Sequence, residues 1–461
     1  MLRDVLAIAV GRITRAAVLL VRPGGGTAIP GRVVERLSPG LLARILRQPR
    51  LVVVTGSNGK GTTTKMLAAI LQAHGVDLFT NKRAGNITRG MLSDLITVVD
   101  WRGRFRHEVA VMEMDEGYAA ITLEQAPADV TVLLNVMLDQ LHRWGSPDVA
   151  ADYLARVARA TTGALVVNRE DPHLRGIAAA LRLAALAQGP SKGDPLTEAT
   201  RSLSERSEPK GPAIHEFGVA DPVLATLPHG LGSAPAFGID APRIDSPAAT
   251  VVTAYAGDRA TIALGEDGPA AAERLDVVLP SRGIHLAVDT AAAIEAARVV
   301  LGEAFDPERA VEALEGATSM WARGERARIA SKDGKVAEFY LAKSPPSTQL
   351  NLDDLDPDLD QVMVIAGKDI PDPAMLWPVD WSRVRRVRVL GGLQAHEMAM
   401  KLAYEGIEVG RIIESVEDAV DAFFALPEPE HGVKTVIFSA DGMRRTRRHL
   451  GLYEADTERV A

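Results

Sequence analysis

A glycine-rich loop that carries one lysine is the part of this sequence best suited to chemistry. It reads Gly-Ser-Asn-Gly-Lys-Gly-Thr-Thr-Thr from Gly56 to Thr64, between a β-branched stretch at 51–55 and a helical pattern at 65–74. Backbone N–H groups exposed by glycines and backed by a helix N-terminus bind anions, and a lysine adds positive charge at the terminal phosphates. The alternative is a turn that only begins a helix, but the strand, lysine and helix together favour a nucleotide site. Its candidate residues are Gly56, Ser57, Asn58, Gly59, Lys60, Gly61, Thr62 and Thr63.

A carboxylate after the next apolar stretch is a candidate metal ligand beside that loop. Glu113 follows a short run of apolar residues, and the carboxyl ends of parallel strands meet at one edge of a sheet. Mg²⁺ prefers oxygen ligands, so Glu113 is placed to hold it. Asp115 and Glu116 follow closely and could either support the site or face solvent.

Strand-like and helix-like segments alternate along most of the chain, which predicts an α/β fold with parallel sheets covered by helices. A second alternating unit begins after Arg328, and between about 186 and 248 the pattern gives way to Gly, Pro, Ser and charged residues. We therefore expect an irregular insertion there. The first predicted strands are 51–55, 108–112, 130–135 and 164–168. The predicted parts are an N-terminal helical segment at 1–48, a central nucleotide-binding domain at 49–325 and a C-terminal Rossmann-like α/β domain at 326–461.

Charge and cysteine content exclude several classes of function. The 461 residues include 60 acidic and 52 basic side chains, a formal net charge of -8, so no overall positive field favours nucleic-acid binding. The chain has no cysteine, which excludes disulfides, thiolate zinc sites and cysteine nucleophiles. This composition is consistent with a reducing compartment, and we expect a cytoplasmic protein.

The first 22 residues predict an amphipathic helix. Arg3, Asp4, Arg12 and Arg15 interrupt the apolar residues, so the segment does not have the composition of a membrane-spanning helix. Packing against the protein itself is the first interpretation. Docking on a partner or on the inner face of the membrane is the second.

The loop resembles that of a known enzyme family. It does not match the widespread G-x-x-x-x-G-K-[ST] pattern, because Val54 stands at the first glycine position and Gly61 follows Lys60. Together with the preceding threonine, it is similar to the T-G-[TS]-x-G-K-x-[ST] loop of Mur ligases and folylpolyglutamate synthases. The resemblance implies a Mur-ligase-type central P-loop domain that binds ATP and Mg²⁺, with the Thr62 hydroxyl, or failing that Thr63, at the metal.

Polar motifs further along the chain extend the resemblance to the Mur ligase family, and more closely to its MurT-type members. The segment 135–143 is similar to N-x-x-x-D-Q-x-D-R, although His142 replaces the expected Asp, and capping of a strand end is the alternative. Segments at 80–88 and 166–172 resemble two other loops of these proteins. The residues so implied are Asn135, Asn168 and Asp171 for the nucleotide, Asp139 and Gln140 for the metal, and Asn86 for the substrate.

Three residues of the C-terminal half have counterparts in the same family. The segment 321–326 resembles the F-G-R-G-E linker, which implies that Arg323 meets the phosphates. The segment 340–345 resembles L-A-K-N-P, which implies that Lys343 lies near the reacting phosphate unless it is an exposed strand-end lysine. A loose resemblance around 369–380 makes Asp372 the first counterpart of an aspartate that faces a glutaminase subunit, ahead of Asp369 and Asp380.

The resemblance implies a ligase that activates a carboxylate as an acyl phosphate. Its most specific form is amidation of D-glutamate in lipid II, with ammonia from a GatD-like glutamine amidotransferase partner. The four-cysteine zinc ribbon common in MurT proteins has no counterpart in a chain without cysteine, so no zinc is expected. Two alternatives remain: a Mur-type ligase that joins an amino acid to another carboxylate, and a nucleotide-binding scaffold without catalysis.

Overall fold

The computed structural model describes residues 2–21, 28–81, 86–139, 145–187, 211–235, 249–265, 273–315, 322–367 and 378–452. Within these ranges the chain forms two β-sheets with helices packed on their faces. The strands of the first sheet are β1 (Arg50–Thr55), β2 (Leu78–Thr80), β3 (Val109–Glu113), β4 (Ala128–Leu133), β5 (Thr161–Asn168), β6 (Ala213–Val219), β7 (Thr250–Ala256), β8 (Arg259–Leu264) and β9 (Glu273–Val278). Those of the second are β10 (Arg323–Ile329), β11 (Lys335–Leu341), β12 (Val362–Ile365), β13 (Arg386–Gly391), β14 (Glu408–Ile413) and β15 (Lys434–Phe438).

Helices connect and cover these strands. In the first half they are α1 (Leu2–Val21), α2 (Ala28–Leu37), α3 (Leu41–Leu46), α4 (Lys60–Ala73), α5 (Thr88–Val98), α6 (Glu116–Gln125), α7 (Pro147–Arg159) and α8 (Pro172–Ala187). In the second half they are α9 (Asp221–Leu224), α10 (Ile284–Leu301), α11 (Pro307–Glu315), α12 (Pro345–Asp353), α13 (Ala395–Tyr404), α14 (Val416–Phe424) and α15 (Ala440–His449). Short 3₁₀ turns occur at Gly302–Ala304 and Ala330–Lys332.

The first sheet is parallel around its centre and antiparallel at one edge. The spatial order is β2-β3-β1-β4-β5-β6-β7-β8-β9, in which the pairs from β2 to β7 are parallel and β8 and β9 are antiparallel. In β1, Val52 and Val54 pack toward α4 and α10, whereas Leu51 and Val53 pack toward α1, α3 and α5. Alternate side chains of a strand face opposite sides, so an all-apolar strand requires cover on both faces. This places β1, and the loop that follows it, in the interior of the sheet.

The second sheet is a smaller unit with its own core. Its order is β10-β11-β15-β12-β13-β14, with β10 antiparallel and the other neighbours parallel. Phe339 and Phe438 stack at 5.8 Å between ring centroids on one face, and Trp381 is fully buried on the other. Buried aromatic and aliphatic side chains on both faces are typical of a Rossmann-like arrangement.

The predicted α/β class and the central strands are confirmed, but one expected irregular stretch contains part of the main sheet. β6 lies inside 186–248 and pairs with β5 and β7. Its apolar pattern is interrupted by His215 and Glu216, which are paired with other residues: His215 Nδ1 lies 3.2 Å from Glu295 Oε1, and Arg182 lies 3.0 Å from Glu216. The insertion is therefore not irregular throughout. The second sheet also begins at β10, slightly before the predicted boundary at 326.

The N-terminal helices pack on the first sheet, as the first interpretation of that segment predicts. Ala7 and Ile8 of α1 are fully buried, and Arg12 donates from Nε to Ile96 O at 2.8 Å. The backbone of Gly31 approaches Arg89 so closely that a Cβ there would lie 1.8 Å from the Arg89 carbonyl oxygen. In the part of the chain that the structure describes, no helix is both long enough and apolar enough to cross a membrane.

A buried carboxylate joins α10 to β6 and β7, and its replacement should destabilise the fold. Glu295 is 1% exposed and accepts hydrogen bonds from Thr250 Oγ1 at 2.6 Å and from Arg298 at 2.7 Å. Burial is the largest influence on its pKa and raises it, but His215, Arg298 and Thr250 outweigh burial and hold the pKa below the ordinary 4.5.

We expect Glu295→Gln to lower the free energy of unfolding by about 2–3 kcal/mol at pH 7, because charged hydrogen bonds are lost in a buried site. A carboxylate whose pKa is lower in the folded than in the unfolded state stabilises the fold at pH values above the unfolded-state pKa. This stabilisation is lost as the pH falls through the folded-state pKa. The difference between wild type and variant should therefore shrink below pH 4.5. Urea titrations at several pH values measure it, with the exposed Glu303→Gln as control. A constant difference down to low pH would contradict the assignment.

Candidate active site

A cavity of about 320 Å³ opens at the carboxyl ends of β1, β3, β4 and β5. Both sheets contribute to its walls, since residues from the segment after β11 face the loop after β1. The residues predicted from sequence that line it are Ser57, Asn58, Gly59, Lys60, Gly61, Thr62, Asn86, Glu113, Asn135, Asn168 and Lys343. The structure thus brings together most of the predicted site, from segments far apart in the chain.

The loop after β1 has a backbone that two glycines make possible. Gly59 has a φ of 84°, and a Cβ on it would lie 2.2 Å from the Asp289 carboxylate. Gly56 has a φ of 137°, and a Cβ on it would lie 3.0 Å from the backbone nitrogen of Asn135. Both φ values are rare for residues with side chains. α4 begins at Lys60 directly behind this loop, which places the helix N-terminus toward the cavity.

Asn135 fixes the shape of the loop. Its side-chain Oδ1 accepts from Asn58 N at 2.9 Å, and its Nδ2 donates to Asn58 O at 3.1 Å. Its carbonyl accepts from Ser57 N at 3.0 Å, and the Ser57 hydroxyl accepts from Met137 N at 3.0 Å. These bonds join the end of β4 to the glycine-rich loop from Gly56 to Thr64, which we call the phosphate loop. The role of Asn135 therefore includes positioning this loop.

Lys60 is a buried ammonium group surrounded by acidic side chains. Its side chain is 9% exposed and lies 3.7 Å from Glu116 Oε2, and its Nζ donates to the carbonyls of Gly56 and Ser57. Burial is the largest influence on the pKa of Lys60 and lowers it. Four carboxylates outweigh burial and raise this pKa above its ordinary value; they belong to Glu116, Glu113, Asp115 and Asp139. Lys60 is therefore charged at neutral pH.

Glu113 and Thr62 supply oxygen atoms of the kind that Mg²⁺ binds. Both line the cavity. The Asn81 side chain fixes the backbone of Glu113, because it donates to the Glu113 carbonyl at 2.9 Å and accepts from the Glu113 N–H at 2.8 Å. Asn86 Nδ2 lies 3.4 Å from Glu113 Oε1. A hydroxyl and a carboxylate at the edge of a phosphate loop fit Mg²⁺, which is commonly held by few protein ligands together with phosphate oxygens. Among the described residues no group of three or more His, Asp or Glu side chains forms a metal cluster.

Lys343 connects the two sheets at the cavity. It follows β11, and its Nζ donates to Asp139 Oδ2 at 2.5 Å. Asp139 is buried and does not line the cavity in this arrangement. The predicted metal residue Asp139 is thus the partner of the predicted catalytic Lys343. Lys343 is exposed near the end of a strand, as the alternative states, but its side chain also lines the cavity and is ion-paired.

The side chains of Asn168 and Asp171, two other nucleotide candidates, form hydrogen bonds to backbone groups around the site. Asn168 lines the cavity, donates to Leu134 O at 2.9 Å and accepts from Glu170 N at 2.9 Å. Asp171 is fully buried beneath the cavity, where it accepts from Val136 N at 2.8 Å. Burial is the main reason that the pKa of Asp171 is raised. Thr63 is fully buried, whereas Thr62 lines the cavity.

Some predicted residues lie outside what the structure describes. They are Gln140, Asp369, Asp372 and the side chain of Arg323. Asp380, the less favoured counterpart of Asp372, is described: its Oδ1 accepts from Ser382 N at 2.8 Å. Its Oδ2 lies 3.7 Å from His229 Nε2, and His229 also contacts Asp353 at 2.9 Å, so this group joins the two sheets away from the phosphate loop.

The sequence analysis missed several residues of the cavity. Asp289 lies against the phosphate loop, and His285 stands near the start of α10. The sequence feature that could have indicated them is Gly283, directly before a helix that begins Ile-His. In the structure this glycine has a φ of 133°. Others, contributed by the segment before 235 and by α12, gave no local signal; they are Leu231, Ser233, Ser347, Leu350 and Asn351.

Comparison with known proteins agrees with this geometry. Residues 54–208 match the model of the Mur ligase middle domain. The match spans the phosphate loop, Glu113 and Asn135, so this part of the chain is similar to a Mur ligase middle domain. The resemblance to this family is confirmed.

Among curated proteins the chain is similar to MurT, a subunit of lipid II isoglutaminyl synthase. It is 26% identical over 172 residues to the protein of Staphylococcus aureus (strain COL), covering 37% of this chain and 38% of that one. The Streptococcus pneumoniae R6 protein gives 26% over 174 residues, with the same coverage. A UDP-N-acetylmuramoylalanine--D-glutamate ligase of Bordetella avium is 30% identical over 167 residues, covering 36% and 32%. The matched region thus spans under two fifths of these relatives.

Solved structures have a similar fold over most of this chain. MurF from Acinetobacter baumannii has a TM-score of 0.58 at 19% identity, covering 92% of this chain and 80% of that one. MurF from Thermotoga maritima, solved with ADP, also has 0.58, at 17% identity with 92% and 84% coverage. At these identities the comparison shows the fold, which is the multidomain α/β fold of Mur ligases.

Proposed function

We propose that this protein is an ATP-dependent ligase that converts a carboxylate into an acyl phosphate and then into an amide. The observation that carries the proposal is the cavity, which brings together the phosphate loop with its charged buried lysine, the side chains of Thr62 and Glu113, and Lys343 from the segment after β11. No side chain of the protein has to act as a nucleophile in such a site. It positions phosphates and neutralises charge, which is how phosphoryl-transfer sites work.

The chemistry has two balanced steps. A carboxylate oxygen of the acceptor attacks the γ-phosphorus of ATP, and the bond to the β-phosphate oxygen breaks to release ADP. An amine or ammonia then attacks the acyl carbon, inorganic phosphate leaves, and the nitrogen loses a proton. When bound, Mg²⁺ would shield phosphate charge, with Thr62 and Glu113 as its protein ligands. Lys60 would neutralise charge that develops on the transferred group.

For the acceptor, we propose the α-carboxyl of D-glutamate in the lipid II stem peptide. The relatives called MurT support this choice. Ammonia would come from a separate GatD-like glutamine amidotransferase subunit, because the chain has no cysteine to serve as a glutaminase nucleophile. The second candidate is a Mur-type ligase that adds an amino acid, and the similarity to a D-glutamate ligase favours it.

Product analysis separates the two candidates. Purified protein is incubated with ATP, Mg²⁺ and lipid II, and ammonium chloride is compared with individual amino acids as the nitrogen source. We expect lipid II in which one carboxylate has become a primary amide, formed together with ADP. A product enlarged by an amino acid would favour the second candidate, and ATP binding without either product would remove lipid II as the acceptor.

Lys343 gives a test of the contribution from the second sheet. We expect Lys343→Ala to lower kcat about 10–100-fold while ATP affinity changes little, because this side chain reaches the cavity from the domain opposite the phosphate loop. Steady-state kinetics and equilibrium binding of ATP measure the two quantities. The control is Lys332→Ala, which removes a half-buried, ion-paired lysine of the same domain that does not line the cavity. Equal losses in the two variants would show that Lys343 is structural.

A further inference from the structure

Helix α1 carries an apolar stripe that no described part of the protein covers. Leu6, Ile13 and Leu20 recur every seven residues, or about two helical turns, and Leu2 extends the row by one turn. Their exposed fractions are 57%, 70% and 85%, and that of Leu2 is 87%. We call these four residues the α1 stripe. Isolated exposed leucines are ordinary, but a continuous row along a helix is an interaction surface.

The opposite face of α1 is firmly held, so the stripe is not needed for the core. Ala7 and Ile8 are fully buried against the first sheet. Arg12 donates to the carbonyls of Ile96 and Val99, at 2.8 Å for the first. The helix therefore presents the stripe in a fixed orientation.

The N-terminal segment that carries the stripe is basic within an acidic protein. Residues 1–50 contain nine arginines and only two acidic residues, Asp4 and Glu35, a formal charge of +7 within a chain of -8. Both acidic residues are paired with arginines: Asp4 with Arg44 at 2.7 Å, and Glu35 with Arg89 at 2.9 Å. The segment is thus opposite in charge to the rest of the protein.

A second basic segment lies next to α1. The Arg12 guanidinium lies 4.5 Å from the ring centroid of Trp101, which is itself 57% exposed. Three exposed arginines follow Trp101 at alternate positions; they are Arg102, Arg104 and Arg106. An exposed tryptophan, an apolar helical row and flanking arginines are the elements of a helix that lies in a membrane interface.

We infer that the α1 stripe docks on an anionic lipid bilayer, with its leucines and isoleucine at the boundary of head groups and acyl chains and the arginines near lipid phosphates. Charge complementarity selects this occupant: an anionic surface attracts the basic segment, and a narrow convex apolar row suits a fluid interface. The inference stands on α1 and its surroundings and does not depend on the proposed ligase activity.

Vesicle co-sedimentation tests the inference with the full-length protein. Vesicles of phosphatidylcholine alone are compared with vesicles that also contain phosphatidylglycerol. The stripe variant is Leu6→Gln/Ile13→Gln/Leu20→Gln. The control variant is Leu183→Gln/Leu186→Gln/Met400→Gln, which removes equally exposed apolar side chains elsewhere. We expect wild type and control to bind the anionic vesicles and the stripe variant to bind them at least about tenfold more weakly.

A separate variant tests how the arginines contribute to vesicle binding. Arg102→Gln/Arg104→Gln/Arg106→Gln should weaken binding to anionic vesicles by roughly tenfold or more, and added salt should weaken wild-type binding. Analytical ultracentrifugation without lipid is run on the same proteins. Failure of the wild type to bind either vesicle would overturn the inference. So would a wild-type dimer that the stripe variant converts to monomer, because the stripe would then be an interface between copies.

Discussion

Replacing Lys60 with methionine is expected to lower ATP-dependent product formation by about 10²–10³-fold. The loss follows from removing a charged donor that is held at the phosphate loop, in a buried site where electrostatic stabilisation is strong. Methionine keeps the length of the side chain but not its charge. Lys65→Met is the matched control, because Lys65 lies exposed on the same helix. Initial rates of ADP and product formation measure the effect.

The same change has a structural consequence that must be separated from catalysis. Glu116 is 3% exposed and loses its cation in Lys60→Met, so the variant should also be less stable. Lys60→Met/Glu116→Gln removes the unpaired charge and should recover part of the melting temperature. Recovery of turnover along with stability would contradict a direct role for Lys60, and low turnover in a stable double variant supports it.

Glu113→Gln is expected to lower turnover by at least about 10²-fold and to shift the Mg²⁺ dependence to higher concentrations. The amide has nearly the shape of the carboxylate but lacks the charge that favours a divalent cation. The backbone anchors from Asn81 remain in place, so the fold should be preserved. Rates measured across a Mg²⁺ titration give both quantities.

Glu108→Gln is a close control for this experiment. Glu108 is exposed and immediately precedes β3, whereas Glu113 ends the same strand at the cavity. We expect the control to keep the wild-type Mg²⁺ dependence. If Glu113→Gln keeps it as well, Glu113 is not a metal ligand and the metal pair proposed here is incorrect.

The parts of the site that sequence could predict are those with local signals. The strand, glycine loop and helix from β1 to α4 are contiguous, and each has a characteristic composition. Glu113 ends one buried strand and Asn135 comes shortly after another, and neighbouring parallel strands bring their ends together in the sheet. For Glu113 the apolar pattern and the topology of a parallel sheet led to the prediction, whereas Asn135 was predicted from the resemblance to Mur ligases.

The rest depended on contacts between distant segments. β6 was obscured by His215 and Glu216, whose partners Glu295 and Arg182 lie elsewhere in the chain. Asp289 meets the phosphate loop only through the packing of α10 on α4. No window of sequence contains such information, because it arises from the tertiary arrangement.

The contact between the two sheets is another feature that sequence did not indicate. Tyr255 donates to Asp354 at 2.7 Å and accepts from Gly283 N at 2.8 Å, while Arg282 lies 3.7 Å from the same carboxylate. Burial is the largest influence on the pKa of Asp354 and raises it, although Tyr255 and Arg282 oppose the shift. Arg282 and Gly283 directly precede α10, so these contacts link Asp354 of the second unit to one wall of the cavity.

The most direct test of carboxylate activation follows oxygen atoms through the reaction. Lipid II labelled with oxygen-18 in the α-carboxyl of its D-glutamate is incubated with the protein, ATP, Mg²⁺ and ammonium chloride, and the phosphate and lipid products are analysed by mass spectrometry. An acyl phosphate requires that one labelled oxygen leave with inorganic phosphate while the amide keeps the other, and this is the result we predict. Amide formed together with unlabelled phosphate would contradict the proposed mechanism. So would formation of AMP that carries the oxygen-18 label instead of ADP.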